Sequence, residues 1–234
     1  MGLDSVDLLL EVERAFGVTL DERACANVVT VGDLCELVLA SVPPAKHERC
    51  LTALAFWRLR RALVAAFGSK RSAVRPDSNL RMLVWPPERR APLHAREAWS
   101  RLERMLGLAL PPLERSRRLF WACIAVVVLL GAGLSVSLGP SERWLAAGVT
   151  VGAACLLGVA TRPWKIHAPA DVETVGDLAR ALVLREAGRL AVPAGGFTRA
   201  QIETIVPRIV ANETGNPIER VTLDTRIVAD LGID

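Results

Sequence analysis

The feature that most constrains this chain is an internal repeat whose parts do not run in the same order in both copies. Glu13-Arg14-Ala15-Phe16-Gly17-Val18-Thr19-Leu20 recurs 90 residues later as Glu103-Arg104-Met105-Leu106-Gly107-Leu108-Ala109-Leu110. Thr30-Val31-Gly32-Asp33-Leu34 recurs as Thr174-Val175-Gly176-Asp177-Leu178. The two motifs lie ten residues apart in the first copy and 64 in the second, so the second copy carries an insertion of 54 residues. At an offset of 147, Leu63 to Gly68, Val74, Asp77 and Leu80 align with the stretch ending at Gly215, then Val221, Asp224 and Ile227. In the middle copy this third segment precedes the other two, whereas for the first copy it comes last in the chain. Repeated units of this kind pack as supersecondary modules. The first copy is therefore complete only when residues 197–234 join residues 1–46, within one chain or head to tail between two.

The local chemistry of each copy predicts helices. Val6, Leu9, Leu10, Val12 and Phe16 fall at helical spacing, and Gly17 is placed to end that helix. Thr30 with Asp33, and Thr174 with Asp177, have the spacing of an N-terminal capping box, in which the threonine hydroxyl takes an orphan amide of the helix it opens. An opening helix is expected at about 52–67 in the middle copy. Its counterpart runs from about Arg199 to Glu213, after the Pro193-Ala194-Gly195-Gly196 linker.

The insertion is apolar. Leu119 to Leu138 and Trp144 to Thr161 are runs of 20 and 18 residues without a charge, joined by the turn Gly139-Pro140-Ser141-Glu142-Arg143. Each is near the length that crosses a hydrocarbon core of about 30 Å. Small residues such as Gly131, Gly133, Gly148 and Gly152 would let two such helices approach closely. A transmembrane hairpin is therefore expected within residues 114–165, with spans at about 119–138 and 144–161. Arg115, Arg117 and Arg118 before it, and Arg162 and Lys165 after it, place both soluble parts on the cytoplasmic side of the cell (inner) membrane. Cys25, Cys35, Cys50, Cys123 and Cys155 are odd in number and lack paired metal-ligand spacing, which predicts reduced, buried thiols.

Charge is distributed unevenly. Residues 1–40 hold eight acids against Arg14 and Arg23, whereas residues 58–118 are rich in arginine. The basic stretch carries no nucleic-acid motif, so anionic lipid or an acidic partner is its expected contact.

The chain opens Met1-Gly2-Leu3-Asp4-Ser5-Val6 and closes Asp230-Leu231-Gly232-Ile233-Asp234. Read in the order C-terminus then N-terminus, these ends supply Asp-Leu-Gly-x-Asp followed by Gly-x-Asp-Ser. With the acidic helix, Phe16-Gly17 and the Thr-Val-Gly-Asp cap, the whole pattern resembles the acyl carrier protein family in circularly permuted order. The resemblance implies an all-α fold of two acyl-carrier-protein-like four-helix bundles, one permuted and one degenerate, joined to the transmembrane hairpin. The degenerate module would comprise residues 47–113, with its last helix at 166–192.

By resemblance, Ser5 is the attachment point of 4′-phosphopantetheine and Asp4 belongs to the attachment motif, while Asp7, Glu11 and Glu13 would steer basic partner enzymes. The expected function is that of a membrane-anchored carrier, not an enzyme. It would hold acyl or related groups as thioesters for lipid or polyketide-type biosynthesis. Its partners would be a phosphopantetheinyl transferase, acyl-loading and acyl-using enzymes, the membrane, and possible further copies of itself head to tail, without nucleic acid. In the middle module Asp4 and Ser5 fall on His94 and Ala95, and Ala95 has no hydroxyl to modify. That loss frames the alternative, a non-catalytic membrane scaffold or interaction module that keeps the fold without the prosthetic group. His47, His94 and His167 have no evident nucleophile partner, and neither a phosphate-binding glycine loop nor a zinc spacing is present, so no catalytic or metal residues are expected.

Overall fold

A computed structural model describes residues 3–45, 49–85, 92–115, 121, 124–129, 131–132, 148–152, 154, 165–167, 169 and 171–232. In chain order the helices are α1 (Leu3–Phe16), α2 (Glu22–Cys25), α3 (Val31–Ser41), α4 (Leu51–Phe67), α5 (Leu80–Val84), α6 (Pro92–Leu106), α7 (Val175–Ala191), α8 (Arg199–Thr214) and α9 (Ile227–Leu231). A short antiparallel pair, β1 (Glu114–Arg115) with β2 (Lys165–His167), is added to this helical set. Two compact units result. The first comprises Met1–Asn79, Leu102–Pro111 and Thr174–Asp234, and the second Leu80–Arg101 with Pro112–Glu173.

In the first unit, α1 packs on α7 and α8, α4 on α7, and α8 on α3. The buried face of α1 is Leu8, Val12, Ala15 and Phe16, whereas Val6 and Leu10 are 43% and 49% exposed. The sequence places the right helix but rotates its apolar face, because Val6 and Leu10 are as hydrophobic as the residues that point inward. Leu59 and Leu63 of α4, Leu178, Leu182 and Leu190 of α7, and Ile202 and Val206 of α8 complete the centre of this unit. Each such side chain contributes about 1.5–3 kcal/mol when fully buried. Phe16 meets Phe197 with ring centroids 5.0 Å apart, which ties the end of α1 to the linker before α8.

α1 and α7 approach each other closely. A Cβ placed at Gly188 would collide with the backbone carbonyl of Phe16. Two residues earlier, α7 is kinked at Glu186 (φ −135°, ψ 29°). The kinked segment is held by its own side chains: Glu186 accepts the Ala109 amide at 3.0 Å and pairs with Arg189 at 3.6 Å.

Both capping boxes form. Thr30 Oγ1 accepts from the Asp33 amide at 3.1 Å while the Asp33 carboxylate accepts from the Thr30 amide at 2.8 Å. Thr174 and Asp177 repeat these two bonds at 3.1 and 2.8 Å.

In the second unit, Trp85 stacks on Trp99 with centroids 5.4 Å apart, and its Nε1 donates to the Ala95 carbonyl at 3.1 Å. This anchors α5 to α6. Leu80 opens α5 with its amide donating to the Glu173 carbonyl at 3.0 Å.

The transmembrane hairpin is corrected. Among the described residues no helix is long and apolar enough to cross a membrane. Among the described residues the longest helices, α4 and α7, have 17 residues each, and both carry charges, Arg58, Arg60 and Arg61 in one and Arg180, Arg185 and Arg189 in the other. The predicted spans at 119–138 and 144–161 lie for the most part outside the described residues. The two apolar stretches do meet, since a Cβ at Gly131 would stand 2.9 Å from the Thr150 hydroxyl. The inner-membrane location, with cytoplasmic soluble parts, rested on those spans and is withdrawn with them. Arg117, Arg118, Arg162, Cys123 and Cys155 lie outside the described residues.

Gly188→Ala tests the α1–α7 contact. Alanine favours a helix interior by about 1 kcal/mol over glycine, yet overpacking a well-filled contact costs about 1–3 kcal/mol. The expected outcome of a denaturant titration is a net loss of stability, whereas Gly148→Ala, with open space around it, shows none.

Candidate functional site

The site is built where the C-terminal segment meets the N-terminal module. The loop after α8 lies against the start of α3. The Val31 amide donates to the Thr225 carbonyl at 3.0 Å, Gly32 to Leu223 at 2.7 Å, and Ile227 to Val29 at 3.0 Å. The middle copy makes the same bonds: Val175 to Ser78 at 3.0 Å, Gly176 to Pro76 at 2.8 Å, and Leu80 to Glu173 at 3.0 Å. Every member of the second set is the repeat counterpart of the first. The glycine of Thr-Val-Gly-Asp is explained by this clamp. A Cβ at Gly32 would lie 3.0 Å from the Leu223 carbonyl oxygen, and one at Gly176 would lie 2.9 Å from that of Pro76. Residues 197–232 thus complete the N-terminal module within one chain.

A second matched detail concerns the turn after each acidic helix. Glu13 accepts the Leu20 amide at 2.6 Å, and Glu103 accepts the Leu110 amide at 3.2 Å. The resemblance implies Glu13 as a surface contact for partners. Its carboxylate is occupied in folding the chain back after Gly17.

Ser5 sits in the first turn of α1, with 7% of its surface exposed. The cause is helical geometry: Ser5 precedes Leu8 and Val12 on the inward-facing stripe. Ala95, its repeat counterpart, is also 7% exposed. The resemblance demands an accessible hydroxyl, and the closed α1 encloses it. The start of a 14-residue helix does suit a phosphodiester, through its free amides and the positive end of the helix dipole. The first turn of α1 thus offers an anion-favouring helix start but encloses the Ser5 side chain. The side chain of Asp4, and Met1, Gly2, Ile233 and Asp234, lie outside the described residues.

The remaining acids divide. Asp7 is exposed and points away from the apolar face, whereas Glu11 forms an ion pair with Arg14. Behind them, Glu213 of α8 has its carboxyl raised above the usual range by burial, with Glu11 reinforcing the shift and Arg185 opposing it. Asp33 moves the other way. The Thr30 amide and hydroxyl hold its carboxyl below the usual range. Cys25 and Cys35 are buried, and burial pushes the Cys35 thiol up to about 12, so it is inert; Cys50 departs from expectation by being exposed. His94 is exposed on α6, His167 lies in β2, and His47 is outside the described residues. Among the described residues no group of three or more His, Cys, Asp or Glu converges on a metal site.

No family, no curated protein and no solved structure matches this chain. The likeness to carriers therefore stands on the residues quoted above.

The two shifted carboxylates predict opposite pH effects. A lowered folded pKa gives Asp33 a contribution that is present above about 3.9, its unfolded value, and lost as pH falls through the folded value. Asp33→Asn should therefore destabilise at pH 7 and approach neutrality as pH falls through the folded value. A raised folded pKa makes ionised Glu213 a burden above its folded value, absent below about 4.3. Glu213→Gln should stabilise at pH 7, with no gain near pH 3. Urea titrations of both variants across pH measure this.

Proposed function

We propose that this chain is a carrier protein of the acyl-carrier type, whose N-terminal module is closed by its own C-terminal segment and is modified on Ser5. The observation that supports this most is the backbone clamp between 223–227 and 29–32, repeated bond for bond between 76–80 and 173–176. The clamp restores the closed module in which Ser5 opens α1, the arrangement a carrier needs. In this reading Ser5 accepts phosphopantetheine from coenzyme A through a phosphopantetheinyl transferase. Once attached, the arm supplies a thiol that holds acyl or related groups as thioesters. The chain's own residues supply the helix start that stabilises the phosphodiester, and Asp7 offers an exposed acid to basic partner enzymes. The transferase reaches Ser5 when the first turn of α1 frays, since terminal helical turns open far more readily than the core.

One observation favours a second reading. Ser5 and Ala95 are equally buried, so the position is also satisfied by a small core-facing residue without chemistry. In that reading both modules are interaction domains that keep the fold without the arm.

Incubation with coenzyme A and a broad-specificity phosphopantetheinyl transferase, followed by mass spectrometry, separates the two. The carrier reading expects a gain of one phosphopantetheine on wild type and none on Ser5→Ala. Val6→Gly, which loosens the first turn at an exposed position, should load about twofold faster. Absence of a mass gain on wild type and on Val6→Gly alike establishes the interaction module instead.

A further inference from the structure

The first unit contains a cavity of about 510 Å³ between the start of α4, the middle of α7 and the first half of α8. Of the residues singled out from the sequence only Cys50 lines it, and it does not depend on whether Ser5 is modified. Its floor is apolar, formed by buried Leu51, Val183 and Ile205. Its rim carries three exposed guanidinium side chains, Arg49, Arg180 and Arg208, each from a different segment, and among the described residues no carboxylate lines it. Arg180 is ion-paired with Asp177, which leaves Arg49 and Arg208 as the principal positive groups. The Gln201 side chain donates to the Arg49 carbonyl at 2.7 Å, holding this segment against α8. α4 opens at Leu51 with Cys50 as its cap residue and no side-chain cap hydrogen bond, so its first-turn amides have no side-chain acceptor.

We propose that this cavity binds an amphipathic anion, a phosphate or carboxylate head joined to one alkyl chain. The head engages Arg49 and Arg208, whose planar forks bind either group bidentately, and the chain lies on Leu51, Val183 and Ile205. The volume is within the range of small-molecule sites, about 300–1,000 Å³. An apolar floor under a positive rim suits neither a plain hydrocarbon nor a bare ion. Each methylene seated on the floor is worth roughly a factor of four in affinity.

Titration calorimetry on the full chain tests this with octyl phosphate, hexyl phosphate, octanoate, inorganic phosphate and octanol as probes. Octyl phosphate or octanoate should bind saturably at one site, and the tighter of the two identifies the head. Hexyl phosphate should bind about 16-fold more weakly than octyl phosphate, with inorganic phosphate and octanol weaker still. The double variant Arg49→Gln with Arg208→Gln should lose at least about tenfold, and Thr204→Trp, which fills the cavity from an exposed lining position, should abolish binding. All three positions are exposed, so thermal melts should match wild type. Inorganic phosphate binding as tightly as octyl phosphate would reduce the site to a surface charge cluster. Octanol binding equally well would reduce it to an apolar hollow. No binding of either amphiphile, or binding untouched by both variants in folded protein, would overturn the proposal.

Discussion

Everything in the first unit depends on a short backbone clamp in which one loop lies against the start of a distant helix. Three hydrogen bonds join 223–227 to 29–32, and three more join 76–80 to 173–176. Backbone amides at a helix start have no partner within the helix and must find one elsewhere. In each copy the threonine–aspartate box takes part of this demand, and the facing loop takes the rest. The glycine at the second helical position lets the loop carbonyl approach to a distance that a side chain would crowd. Because the clamp joins residues almost 200 positions apart, it fixes where the C-terminal segment must lie.

With the clamp set, packing follows. α8 is brought against α3, and α1 settles between α7 and α8. The fit of the Phe16 carbonyl against Gly188 fixes the rotation of α1 about its axis, and the Phe16–Phe197 contact holds its end. That rotation turns Leu8, Val12 and Phe16 inward and leaves Val6 and Leu10 outside. It also carries Ser5 inward. Burial of the candidate hydroxyl is thus a consequence of how α1 seats, and the accessibility of Ser5 is coupled to the integrity of one helical turn.

The duplicated chain has divided its roles. Both copies keep the clamp, the capping box and the glutamate that ties down the turn after the acidic helix, through Glu13 and Glu103. These are the features that make the module fold. Only the first copy keeps a hydroxyl at the position shared by Ser5 and Ala95. The cavity under Arg49 and Arg208 belongs to neither pattern, since α4 and α7 come from one copy and α8 from the other. It is a product of packing the copies together.

Much of the fold could be read from residue order alone, because repeats, caps and helix-ending glycines are local. Thr30 with Asp33 and Thr174 with Asp177 declared two helix starts, and Gly17 declared an end, each through chemistry confined to a few neighbouring residues. The offsets between copies pointed to residues 197–234 as the partner of residues 1–46. Where the reading failed, a nonlocal property was at stake. Absence of charge over 119–138 and 144–161 suggested two membrane spans, but the described residues contain no helix long and apolar enough to make one. The sequence by itself determined which segments are helices and which halves belong together, since those follow from backbone hydrogen bonding and side-chain type. Only the tertiary structure decided that one chain supplies both halves, that α1 faces inward through Ser5, and that three distant arginines share one cavity. Those depend on which surfaces exclude water from one another, and no stretch of sequence contains both sides of such a contact.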